Sequence, residues 1–176
     1  ALSRKYLSVH SQKEEPKFEK VKITQSKPAL NLTFKETEQT HAAIGFHAMD
    51  RFNPDRHALS LLNTILGANM SSRLFHIIRD ELALCYEISS GVRKYEDCGA
   101  FTVAAGVDNK KLVKALTVIL EVLNSMKKEL VSEDELKRAK EYYKGQLLFA
   151  LEDTMSHMLW LGEKIIAGEN DFSIKK

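Results

Sequence analysis

Cysteine is scarce in this chain: Cys85 and Cys98 are the two present in 176 residues, too few for a disulfide framework and without C-x-x-C spacing. Three prolines and eight glycines, with no repeated tract, exclude collagen-like and low-complexity chains. No apolar run approaches the roughly 18 residues that a membrane-spanning helix needs. The first twenty residues, broken by Lys5, Lys13, Glu14, Glu15 and Lys17, lack the apolar core of a secretory signal. A cytoplasmic location is therefore expected. An excess of one charge is missing too, since 26 basic and 24 acidic residues are interspersed and leave a net charge of +2. Neither a nucleic-acid footprint nor a membrane partner is expected from that balance.

What is present is an apolar share of 44% and a charged share of 28%, in a length that one domain fills with its own core. Residues 1–19 are polar, carry Pro16 and read as a linker or tail, which leaves 20–176 as the domain. From Lys20 the pattern alternates, with Val21 and Ile23, then Leu30, Leu32 and Phe34, predicting half-buried strands. The turn Glu36-Thr37-Glu38 leads into Ala42, Ile44, Phe46 and Ala48 on one face, which predicts the second arm of a hairpin.

Asn53-Pro54-Asp55 has the composition of a helix start: a capping oxygen, a proline at the first helical position and an acid that the helix dipole favours. Ala58, Leu61, Leu62, Ile65 and Leu66 follow at helical spacing, and Gly67 is expected to close the helix in the left-handed region. A short helix from Ser71 or Ser72, with Leu74, Phe75, Ile77 and Ile78 inward, is expected to run out near Ala83.

Tyr86, Ile88, Ser90 and Val92 on one face, a turn at Lys94–Asp97, then Phe101, Val103, Ala105 and Val107 predict a β-hairpin. Its turn near Tyr95-Glu96 would set Cys98 opposite Arg93. Cys85 would then lie eight residues further on at about 3.3 Å each, far beyond the Cα separation of about 7 Å that a disulfide tolerates. Two free thiols are expected.

Helical period returns with Leu112, Ala115, Leu116, Ile119, Leu123 and Met126. Ser132 and Glu135 have the spacing of a capping box for a helix burying Leu136, Ala139, Tyr143, Leu147, Ala150 and Leu151. Gly145 within that helix predicts a close helix crossing. A last helix presents Met155, Met158, Leu159, Gly162, Ile165 and Ile166. Alternating strands and one-sided helices predict an α+β two-layer sandwich: an antiparallel or mixed sheet of about five strands, helices on one face.

The six histidines, His10, His41, His47, His57, His76 and His157, stand in no His-x-x-Glu-His, His-Glu-x-x-His or Cys/His spacing. His41 and His47 share one side of a strand but are six residues, about 20 Å, apart, too far to hold one ion. No Ser lies in a G-x-S-x-G context. No metal site and no catalytic residue are expected in this chain alone.

The stretch Gly67–Ser90 reads G-A-N-M-S-S-R-L-F-H-I-I-R-D-E-L-A-L-C-Y-E-I-S-S. It resembles the G-G-G-M-S-S-R-L-F-x-x-I-R-E-x-x-G-L-A-Y-x-x-x-S signature of the insulinase-like (pitrilysin) zinc metallopeptidase family. Gln39, Asn53-Pro54-Asp55, Asp97-x-Gly99-x-Phe101 and Glu135-Leu136-x-x-Ala139-Lys140 agree as well, over about residues 20 to 168. The resemblance is to the second domain of such enzymes, which lacks His-x-x-Glu-His, and it implies a metallopeptidase-like, ferredoxin-like topology. It implies zinc in a partner domain, either upstream or in a partner subunit, and a full-length protein that is a dimer.

By the same resemblance, Arg79 and Tyr86 are substrate-binding and reach a bound peptide in a closed chamber. A guanidinium offers a fork of donors to substrate carbonyls. A phenol can donate to the oxyanion that develops when zinc-bound water attacks a peptide carbonyl. Taken alone, an Arg on a helix is a solvated or paired residue and a Tyr opening a strand is a core-edge aromatic. The surrounding motif turns both toward substrate, emerging together on the uncovered side of the sheet. Arg73 is expected to brace a helix start.

Ala83 stands where the family has glycine, so the turn before Tyr86 is expected to be made without a permissive residue. The alternative class is an inactive peptidase-like structural or assembly subunit. A His-x-x-Glu-His motif encoded upstream or in a partner subunit favours the enzyme; its absence from both favours the scaffold.

Overall fold

Three ten-residue alternations become the strands β1 (Gln39–Ala48), β2 (Cys85–Lys94) and β3 (Gly99–Asp108). The computed structural model describes residues 19–169. The chain divides into one unit, Ala1–Leu30, and another, Asn31–Lys176. Apart from Glu19, the predicted tail lies outside the described residues. β3 is central in an antiparallel sheet of order β1-β3-β2, with Phe46 opposite Phe101 and Ile88 opposite Ala105. Four α-helices, α1 (Arg56–Leu66), α2 (Leu112–Lys128), α3 (Glu133–Glu152) and α4 (Thr154–Ile166), and a π-helix, Phe75–Glu81, complete the described elements.

The core follows the alternation. Phe101, Val103, Ala105 and Val107 of β3 are buried against Leu66, Leu74, Ile78, Ala115, Ile119 and Val122. Each fully buried large aliphatic side chain of this kind contributes about 1.5–3 kcal/mol. On the other face, Ala43, Gly45, Glu87, Ser89, Thr102 and Ala104 are exposed. The α+β architecture with helices against one sheet face thus stands, with three strands rather than five among the described residues.

The strands expected at 21–23 and 30–34 do not form: residues 19–37 carry no strand, and Leu32 and Phe34 are 81% and 94% exposed. β1 is consequently paired with β3 and is not the second arm of a hairpin with 30–34. Alternation marks a segment with one face to bury, while a ladder needs a partner strand as well.

Elsewhere the differences are local. The hairpin is shifted by two residues, with Arg93 opposite Ala100 and the Tyr95 N–H donating to Cys98 O at 2.8 Å. A shift of two keeps every side chain on its face, so alternation cannot choose between the registers. The thiols of Cys85 and Cys98 are free.

α1 begins after Asp55 because the Asn53 side chain accepts from the Asp55 N–H (2.9 Å) and its carbonyl accepts from the Arg56 N–H (3.1 Å). Those bonds hold Pro54 and Asp55 in a turn. Gly67 is extended, φ −164°, not left-handed. Glycine is needed there for close approach: an added Cβ would lie 2.8 Å from Ser90 N, and the Ser90 N–H donates to Gly67 O at 3.0 Å. Ser90 Oγ meets Asn63 Oδ1 at 2.7 Å, locking β2 to α1.

Ser132 does cap α3, accepting from the Glu135 N–H at 3.3 Å. The other half of the expected box is missing, because the Glu135 carboxylate binds Arg73 instead. Of the predicted α3 stripe only Ala139 is fully buried; Ala150 is exposed. An added Cβ at Gly145 would have no neighbour within 4 Å, so among the described residues no helix crosses closely there. α4 has no buried residue, and Met155, Met158, Leu159, Ile165 and Ile166 remain exposed among the described residues.

Candidate functional site

The stretch from the π-helix into the start of β2, Phe75 to Glu87, carries three irregular features. The helix itself is wide, with the Leu82 N–H donating to Ile77 O at 3.1 Å. Ala83 then takes φ +46°, a left-handed conformation in a residue with a Cβ, at a cost of about 1–2 kcal/mol. The turn is made without the permissive residue, as expected, but it keeps the left-handed conformation, which alanine occupies. The Leu84 N–H closes onto Ile78 O at 2.9 Å, and Lys111 Nζ donates to Ala83 O at 2.9 Å.

The third feature is a bulge in β2, where Cys85 is opposite Val107 but Glu87 is opposite Gly106. Tyr86 falls between these pairs. Strict alternation would set it beside buried Ile88, as the sequence pattern predicted. The extra residue takes it off that face, and it is 59% exposed.

Arg79 is exposed on the π-helix, and Arg79 and Tyr86 line one half-open cleft of about 500 Å³. Asp80, Ala83, Leu84, Cys85, Asp108 and Lys111 complete it, so it sits at the end of the sheet where β3 finishes and β2 begins. The two predicted substrate contacts are therefore brought together, at a corner beside the open face. Cys85 is half-buried, and burial pushes its thiol up although Arg79 pulls the other way. A thiol held protonated is a poor nucleophile.

Arg73 lies elsewhere. Its Nε and Nη2 meet Glu135 Oε1 and Oε2 at 2.8 and 2.6 Å, a bidentate pair with both side chains 21% exposed. It braces the start of α3, and the hydrogen-bonded guanidinium holds the Glu135 carboxyl below its ordinary range. His76 stands 3.3 Å from Glu81. His41 and His47 lie opposite Gly106 and Ala100, at different ends of the open face. Among the described residues no group of three or more His, Cys, Asp or Glu side chains could hold a metal ion, so these residues do not fit zinc. No described helix is long and apolar enough to cross a membrane.

Two residues of this corner escaped the sequence. Phe75, whose ring lies 4.6 Å from the Arg79 guanidinium carbon, had a signal in its i, i+4 spacing to Arg79. Lys111 had none, because its partner is a backbone carbonyl 28 residues away. Another concavity, about 890 Å³, runs between α1, α2 and β1 past Phe46, Leu62 and Leu120 and is mainly apolar, with Glu121 and Lys127 also lining it.

The sheet thus carries helices on one face, and the polar corner at its end holds no group of metal ligands among the described residues. The chain belongs to the family described as the Peptidase M16 inactive domain, whose model matches residues 1–143. It is 35% identical over 145 residues to YmxG of Bacillus subtilis, named an uncharacterized zinc protease, covering 82% of this chain and 34% of that protein. It is 36% identical over 135 residues to an uncharacterized zinc protease of Mycobacterium bovis, 77% and 31% of the two chains. The chain spans about a third of the length of these curated relatives.

Among solved structures, the Peptidase M16 inactive domain from Pseudomonas fluorescens superposes with a TM-score of 0.60 at 26% identity, over 64% of this chain and 27% of that one. A protease from Helicobacter pylori shares the fold with a TM-score of 0.68 at 21% identity, over 75% and 32%.

Proposed function

We propose that this chain is the substrate-facing, non-catalytic domain of a zinc-dependent endopeptidase that cleaves peptides in a closed chamber. The observation that carries the reading is the shared cleft of Arg79 and Tyr86, with both side chains exposed. The guanidinium donates to carbonyls of an extended peptide and fixes its register. The phenol hydroxyl donates to the oxygen of the scissile carbonyl, and most strongly when that oxygen carries developing charge. Zinc and the general base belong to an upstream domain or to a partner subunit, in keeping with relatives named zinc proteases. A full-length dimer and a cytosolic setting complete the reading; two unbridged thiols accord with the latter.

The test is Tyr86→Phe in the intact parent protein, followed with a fluorogenic extended peptide. Loss of one oxyanion donor is expected to lower kcat/KM by about 10–1000-fold. Unchanged kinetics would remove the role of Tyr86. A parent protein that cleaves no peptide when supplied with zinc, and has no His-x-x-Glu-His partner, would instead be a structural or assembly subunit.

A further inference from the structure

Arg79 is an exposed side chain that makes no ion pair with a carboxylate among the described residues. Its neighbour Asp80 follows it directly on the helix, and adjacent helical positions do not face each other. An unpaired exposed arginine ordinarily samples many rotamers. Here its guanidinium carbon stands 4.6 Å from the centroid of the Phe75 ring, four residues earlier in the π-helix. The negative face of the ring attracts the cation. Phe75 is itself fixed, since it is partly buried and packed against the core cluster that contains Leu74 and Ile78.

We propose that Phe75 is a positioning residue for Arg79. The ring attracts the cation through its face and offers no carboxylate or carbonyl oxygen, so the guanidinium N–H donors keep their capacity for conventional hydrogen bonds. A carboxylate partner would have occupied two of those donors, as Glu135 does for Arg73. An aromatic platform restrains the side chain without consuming its hydrogen bonds. Placement by Phe75 is independent of what Arg79 binds; its kinetic consequence rests on the reading of Arg79 as a substrate contact.

The experiment has two arms in the intact parent protein. In the first, arginine is labelled with ¹⁵N and the Arg79 side-chain signals are assigned by their loss in Arg79→Lys. A ring-current upfield shift is expected without substrate, abolished in Phe75→Leu and kept in Phe75→Tyr. Arg79 signals without that shift, or unmoved in Phe75→Leu, would overturn the inference.

In the second arm, Phe75→Leu is expected to raise KM for an extended peptide by about 2–5-fold, with kcat less affected and Phe75→Tyr within about twofold of the parent. Leucine keeps an apolar side chain in the core contact, and a thermal melt of each variant confirms folding. In an Arg79→Met background Phe75→Leu should add no further loss. Additive losses would overturn the positioning role. If Arg79→Met leaves hydrolysis unchanged while the ring-current result holds, Phe75 still positions Arg79 and the substrate role of Arg79 is what fails.

Discussion

Replacing Ala83 by glycine is expected to stabilise the protein, although it removes a side chain and adds freedom to the unfolded chain. Ala83 has φ +46°, where its Cβ crowds the backbone. Relief of that crowding is worth about 1–2 kcal/mol. Glycine loses more conformational entropy on folding than alanine, which returns about 0.4–1 kcal/mol. The methyl group is exposed, so little apolar burial is forfeited. The net gain is about 0.5–1 kcal/mol, or roughly 1–4 °C in Tm for a chain of this size. Thermal unfolding by circular dichroism measures it directly. Ala83→Val provides the opposite arm, because a β-branched residue tolerates positive φ worst and should lower Tm. A glycine variant that melts lower than the parent, or a valine variant that melts at the same temperature, would refute the claim that this turn is strained.

Gly67→Ala brings a Cβ to within 2.7–2.9 Å of Ser90 Oγ, N and Cβ, two of them too close to the backbone to yield by a rotamer change. It should cost about 1–3 kcal/mol in urea unfolding, and an unchanged midpoint would contradict the close approach of α1 to β2. Arg73→Met strands the Glu135 carboxylate and should cost about 1–3 kcal/mol near pH 7. Because the hydrogen-bonded Arg73 guanidinium depresses the folded pKa of Glu135 below its unfolded value, the stabilisation is present above the unfolded pKa and is lost as pH falls through the folded one. The gap between parent and Arg73→Met should therefore narrow as pH falls below the ordinary carboxylate range, and a gap independent of pH would show that the pair contributes through packing alone.

Most of the sheet and helix pattern was legible because burial imposes a period. Phe101, Val103, Ala105 and Val107 announced β3, and Ala115 and Ile119 announced the inward stripe of α2. The same logic misread Leu30, Leu32 and Phe34, since a period reports that a face seeks cover and says nothing of what covers it. α4 forms where its period placed it, yet Met155, Met158 and Leu159 are uncovered among the described residues, because a period does not name its partner. Arg79 and Tyr86 were found through the surrounding motif; Phe75 was signalled only by its i, i+4 spacing to Arg79, and Lys111 acts on a backbone carbonyl that no periodicity encodes.

The corner bearing Arg79 and Tyr86 breaks three local rules between Phe75 and Glu87: a π-helix, a left-handed alanine and a strand bulge. Each has a directional effect. The wide turn alters the azimuth at which Arg79 leaves the helix. The left-handed residue reverses the chain into β2 while Leu84 remains buried. The bulge then displaces Tyr86 from the buried side that parity with Ile88 would give it. Regularising any one of them would return a side chain to an ordinary helix or sheet position, at a gain in local stability. Their coincidence at one cleft, with Phe75 and Lys111 bracing its two sides, is the physical reason to seek the binding role at this corner and not on the smooth open face of the sheet.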